Sequence, residues 1–116
     1  MASSKPLIGI STNEITNFNG RQVSHSTGLR YVDAVKNFTN GIPILIPSYI
    51  NNEDLDQLLS KIDGLVLTGG RANIEPHHFG GEPFPPDEPI DVGRDDIVLK
   101  MIPKCVYLGI PIFGIC

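Results

Sequence analysis

The sequence predicts an α/β domain of the doubly wound kind, built on an open, mostly parallel sheet. Three observations predict it. Short runs rich in Ile, Leu and Val recur along the chain, amphipathic stretches of helical period separate them, and one long Gly- and Pro-rich segment interrupts the alternation. A strand that is apolar at nearly every position is one covered on both faces, which is the situation in a parallel sheet flanked by helices.

The first run, residues 7–10, is Leu-Ile-Gly-Ile and reads as a strand. Tyr31, Val32, Val35 and Phe38 then form one apolar stripe, so the first helix lies there, and Gly41 is available to end it. Residues 42–46 supply the second strand. Leu55, Leu58, Leu59 and Ile62 recur at i, i+3, i+4 and i+7, which predicts the second helix, with Asn51 or Asn52 as its cap and Glu53 and Asp54 near its positive end. Residues 65–67 are the third strand. Residues 68–93 hold five prolines and the His77-His78 pair with little periodicity. Loops beyond about 12 to 15 residues are uncommon in compact domains unless they form lids or binding surfaces. Ile97, Val98, Met101, Ile102 and Cys105 mark a third helix that ends near Gly109. Pro103 falls inside it and is expected to kink or split it, since an interior proline costs about 3 kcal/mol and one hydrogen bond. Residues 110–115 complete the set as a fourth strand.

A chain of 116 residues accommodates one domain and excludes a second. Its 41% hydrophobic and 19% charged residues are those of a globular protein rather than a disordered one. With a net charge of -4 and nine scattered Lys and Arg, it lacks the basic cluster that a nucleic-acid surface needs. No apolar run reaches the roughly 18 residues of a membrane span. The residues before Pro6 are too few for a signal peptide. Two cysteines make no disulfide framework, so a cytoplasmic protein is expected, with self-association left open.

Ligands of an open parallel sheet bind at the carboxyl ends of its strands. The residues there are Ser11-Thr12-Asn13, Pro47-Ser48, Thr68-Gly69-Gly70 and Cys116. Cys116, directly after the fourth run and two residues after Gly114, occupies a nucleophile-elbow position, where helix-terminal N–H groups favour thiolate. The alternative is a small apolar residue buried at a strand end. Cys105, on a helical stripe, is a core residue. Gly69 and Gly70 can approach a substrate closely enough to form an oxyanion hole, or make a simple turn. A phosphate loop is disfavoured by the absence of G-x-G-x-x-G and by the prolines that follow. Glu75, His77 and His78 do not complete a four-ligand metal site, and adjacent loop histidines are expected to diverge; they read as surface or substrate-loop residues. His25 reads as a solvated loop residue. Arg94-Asp95-Asp96 opens the third helix, with the acids matching its dipole, and Arg94 is alternatively placed to bind a substrate carboxylate.

Taken in order, Tyr31-Val32-Asp33-Ala34-Val35, Gly41-Ile42-Pro43-Ile44-Leu45-Ile46-Pro47, Gly64-Leu65-Val66-Leu67-Thr68-Gly69-Gly70, Asn73-Ile74-Glu75-Pro76-His77-His78-Phe79, Arg94-Asp95 and Gly109-Ile110-Pro111-Ile112-Phe113-Gly114-Ile115-Cys116 cover nearly the whole chain. Together they resemble the γ-glutamyl-γ-aminobutyrate hydrolase branch of the class I glutamine amidotransferase-like proteins (peptidase C26), whose sheet is flavodoxin-like. The resemblance implies hydrolysis of a small γ-glutamyl amide through a thioester on Cys116, without metal or organic cofactor. It implies an oxyanion hole at Gly69 and Gly70, and a substrate side lined by Asn73, Glu75, His77, His78 and Arg94. It also implies a histidine held by an acid downstream of the cysteine, a position that none of His25, His77 or His78 occupies. The expectation is therefore that residues 1–116 are the N-terminal part of a single domain whose site is completed after Cys116. Two other readings are a non-catalytic amidotransferase-like binding or regulatory protein and the glutaminase half of an amidotransferase. A nucleotide-binding flavodoxin-like domain ranks last.

Overall fold

The elements run β1 (Leu7–Ser11), β2 (Asn13–Asn17), β3 (Gln22–Ser26), α1 (Leu29–Phe38), β4 (Ile42–Ile46), α2 (Asn52–Leu59), β5 (Gly64–Leu67), α3 (Val92–Leu108) and β6 (Ile112–Gly114), with a short 3-10 turn at Pro76–His78. They are those of a computed structural model, which describes residues 4–115. The proposed nucleophile Cys116 lies outside the described residues.

Four strands pair in parallel in the order β4-β1-β5-β6. The order places the first strand inside the sheet, so the chain winds outward from it in both directions and leaves a crevice at its carboxyl end. Side-chain parity decides what each face meets. Ser11 pairs with Ile46 and Gly9 with Leu65, and Ile46 and Leu65 pack with Leu55, Leu59, Ile97, Met101 and Cys105 of α2 and α3. Ile10, one position along, is fully buried on the opposite face, which carries α1 and its buried Val35. Leu55, Leu59 and Met101 are 0% exposed; complete burial of such a side chain is worth about 1.5–3 kcal/mol.

Local signals account for most boundaries. Asn51 Oδ1 accepts the Asp54 N–H at 2.8 Å and so caps α2. Gly109 ends α3 in the left-handed region at φ 74°. After α1 that conformation is taken by Asn40 (φ 53°), not by Gly41 as the sequence suggested. Pro103 does not split α3, which continues to Leu108; the Leu99 carbonyl forgoes its helical partner there. The fourth strand is shorter than its apolar run, spanning Ile112–Gly114.

The sequence reading has no counterpart for the antiparallel hairpin of β2 and β3, which pair only with each other. Asn19 (φ 55°) and Gly20 (φ 83°) occupy the two central positions of its turn, closed by the Arg21 N–H on the Phe18 carbonyl at 3.1 Å. Positive φ at both positions is the conformation that matches the twist of a hairpin. The segment between β5 and α3 is the long loop expected, with the single turn at Pro76–His78.

Candidate active site

Three strand ends are tied together at the crevice. The Thr12 hydroxyl donates to the Ile46 carbonyl at 2.8 Å, and the Thr68 N–H donates to Ser11 Oγ at 3.0 Å. Ser11, Thr12 and Thr68 are all buried, and a buried polar group without a partner costs about 1–3 kcal/mol. The exit of β5 into Gly69 and Gly70 is thereby held against the end of β1.

Beyond it lies a cavity of about 180 Å³ lined by Gly69, Gly70, Ala72, Asn73, Ile74, Arg94, Asp95, Val98 and Ile115. Four residues singled out from the sequence, Gly69, Gly70, Asn73 and Arg94, thus meet around one space. The Gly69 N–H donates to the Tyr31 hydroxyl at 3.2 Å, whereas no partner for the Gly70 N–H is found among the described residues. An ideal Cβ on Gly70 would lie 2.7 Å from Arg94 Nη1 and 2.8 Å from Asn13 Oδ1, so a side chain there would displace the ends of both neighbours.

The Arg94 guanidinium donates to the carbonyls of Thr68 and, at 3.3 Å, Ala72. Its place is set by Asp91, which caps α3 by accepting the Arg94 N–H at 3.0 Å and takes the Glu14 N–H from β2 on its other oxygen at 2.9 Å. The helix therefore begins two residues before Arg94. Asp95 is only 4% exposed and accepts the Glu75 N–H at 3.0 Å. His78 Nε2 lies 3.9 Å from the same carboxylate oxygen, an ion pair when the imidazole is protonated.

Glu75 and His77 line a different cavity of about 370 Å³, together with Pro83, Phe84 and Pro86. The His77 and His78 rings do not diverge: their centroids are 4.0 Å apart. His25 is not a free loop residue either. It sits on β3, accepts the Ser48 N–H on Nδ1 at 3.3 Å and meets Glu14 through Nε2 at 3.2 Å, so the ring carries its proton on Nε2. Cys105 is 0% exposed, and burial pushes its thiol above the ordinary range. Of the residues not anticipated, Asp91 carried a signal, an Asp three residues ahead of Arg94 at the head of an apolar stripe. Tyr31 carried none, because its hydroxyl meets Gly69 only through the tertiary fold.

A parallel sheet wound in this order, with a glycine turn and the end of β6 sharing one cavity at the strand ends, defines a flavodoxin-like α/β protein of the class I glutamine amidotransferase type. Residues 6–116 match the family described as peptidase C26. The chain is 36% identical over 88 residues to the γ-glutamyl-γ-aminobutyrate hydrolase PuuD of Escherichia coli (strain K12), covering 75% of this chain and 34% of that protein. It is 31% identical over 117 residues to a Rickettsia prowazekii protein described as glutamine amidotransferase-like, covering 97% of this chain and 40% of the relative. Protein NtpR of Enterococcus hirae is 30% identical over 115 residues, covering 96% of this chain and 46% of the relative. The chain belongs to the peptidase C26 family. It spans less than half the length of these relatives.

Proposed function

We propose that the chain carries the nucleophile and the oxyanion-binding turn of a cysteine-dependent hydrolase of γ-glutamyl amides. One observation carries the reading: Gly69, Gly70, Asn73 and Arg94 share a cavity with Ile115, the residue covalently joined to Cys116. The name of the Escherichia coli relative supports the same substrate class.

In this mechanism the Cys116 thiolate attacks the γ-carbonyl carbon, and the carbonyl electron pair moves onto oxygen. The Gly70 N–H donates to the oxyanion so formed. Collapse breaks the C–N bond, the amine departs with a proton from a general acid, and the γ-glutamyl group remains on sulfur as a thioester. Water adds to the thioester carbonyl, the C–S bond breaks, and glutamate leaves with the thiol restored. The proton-transferring histidine belongs, on the resemblance, to a stretch following Cys116, so residues 1–116 form one part of a single catalytic domain. On this reading Asn73 meets the substrate from the shared cavity, Glu75, His77 and His78 belong to the loop beside it, and neither metal nor organic cofactor takes part. The partner is a small γ-glutamyl compound rather than nucleic acid or membrane. No helix among the described residues is long and apolar enough to cross a membrane. The free thiol of Cys105 fits a reducing, cytoplasmic setting.

The test is intact-mass analysis of the native protein containing this chain after exposure to a glutamine-analogue diazoketone. A single adduct mapping to Cys116 and lost in Cys116→Ala is expected, together with a fall in turnover of about 10⁴-fold or more. A folded protein that takes up no label would instead be a non-catalytic binding member of the fold.

A further inference from the structure

The Thr68–Gly69 peptide is gripped at both ends. Its carbonyl accepts from the Arg94 guanidinium, and its N–H donates to the Tyr31 hydroxyl at 3.2 Å. No peptide among the described residues is cis, so this C=O and N–H point in opposite directions across one rigid plane. A hydrogen-bond partner at each end therefore restrains rotation of the plane. Arg94 also reaches the Ala72 carbonyl at 3.3 Å, so a single guanidinium brackets Gly69 and Gly70 from before and after. Upstream, Thr68 is anchored through its N–H to Ser11 Oγ. Arg94 is itself seated by Asp91 at the start of α3.

We propose that Tyr31 and Arg94 are positioning residues that lock the Thr68–Gly69 peptide and leave Gly70 as the oxyanion donor of this turn. The inference rests on the hydrolase reading above and deepens it. The Gly69 N–H is spent on Tyr31, and the donor that remains is the one on Gly70. Two of the guanidinium's five N–H donors are spent on backbone carbonyls, which is the work of a planar fork rather than of a point charge. Arg94 thus acts on the reaction through the turn, not by holding a substrate carboxylate.

The two assignments predict different kinetics, since a group felt only in the transition state alters kcat, while one that binds substrate alters KM. In the native protein containing this chain, Tyr31→Phe keeps the ring and removes the acceptor. We expect kcat for a γ-glutamyl amide to fall roughly 3- to 10-fold with KM unchanged, the loss of one neutral hydrogen bond. The Gly69 amide should exchange its hydrogen about tenfold faster in the same variant, a readout that does not depend on activity. Arg94→Lys cannot bridge two carbonyls, and should lower kcat about 10- to 100-fold, again with KM held. An Arg94→Lys protein with raised KM and unchanged kcat would overturn the proposal in favour of carboxylate binding. So would a Tyr31→Phe protein unchanged in both kcat and Gly69 exchange. Absence of γ-glutamyl turnover in the wild type would overturn the hydrolase reading and the oxyanion role with it, whereas an active wild type with unaltered variants overturns the positioning roles alone.

Discussion

At Gly70 one methyl group decides the geometry of the turn. Alanine there would press on Arg94 Nη1 at 2.7 Å and Asn13 Oδ1 at 2.8 Å. Either neighbour must move, and displacement of the guanidinium releases the Thr68 and Ala72 carbonyls. Gly70→Ala is expected to lower kcat by roughly 100-fold, the scale of a misplacement of about 1 Å, in steady-state assays of the native protein. Cys105 behaves in the opposite way. Buried and held as the neutral thiol, it should resist iodoacetamide in the folded protein and react only on unfolding. Because its folded pKa is raised, its share of stability is complete at neutral pH and is lost as pH rises beyond the ordinary thiol range near about 8.5. Denaturant melts at increasing alkaline pH would register the decline. The sequence made Cys105 legible through its helical stripe, and Gly69 and Gly70 through their place after a strand. It offered Arg94 as part of the opening of α3 or as a ligand for a substrate carboxylate, and the contacts of its guanidinium with the Thr68 and Ala72 carbonyls had no signal there, because they depend on the path of residues 68–72 past α3.

Each element reflects how local its determinants are. The apolar runs and stripes were legible as strands and helices because burial on fixed faces imposes a period on the sequence. The cap of α2 was legible to within one residue, Asn51 or Asn52, because it is a contact between residues three apart; it falls to Asn51, and Asn51→Ala should cost about 1 kcal/mol in urea unfolding. The hairpin of β2 and β3 has a weak apolar alternation, with Ile15 and Val23 42% and 59% exposed, so period alone does not reveal it. Its signal was the Asn19-Gly20 pair between the two strands. No atom lies within 4 Å of a Cβ built on Gly20, so Gly20→Ala tests backbone conformation without a steric clash. A loss of about 1–2 kcal/mol is expected from the left-handed conformation, read as a shifted urea midpoint with unchanged slope. Pro103 leaves α3 unsplit because its penalty is local, while the burial of Met101 and Cys105 on either side of it belongs to the whole core.

At the scale of the molecule, the two faces of the sheet are covered unequally. One carries α2 and α3; the other carries α1, beside which Val66, Phe113 and Ile115 line an apolar groove with Tyr31, Ala34, Val35 and Phe38. Phe113 is 66% exposed there, and β6 is an edge of the four-stranded sheet. A polypeptide of residues 1–116 prepared by itself should therefore bind a hydrophobic dye and associate as its concentration rises, and Phe113→Ser should weaken both effects in light scattering and fluorescence. The hairpin stands outside this architecture. It leaves β1 and returns to α1 without pairing with any strand of the main sheet, yet Asn13 abuts Gly70 and the Glu14 N–H meets Asp91. Its tip can be lengthened, shortened or exchanged without changing one register of the parallel sheet. Such a graft is a place where related proteins can diverge in what they admit to the crevice while inheriting the same scaffold beneath it.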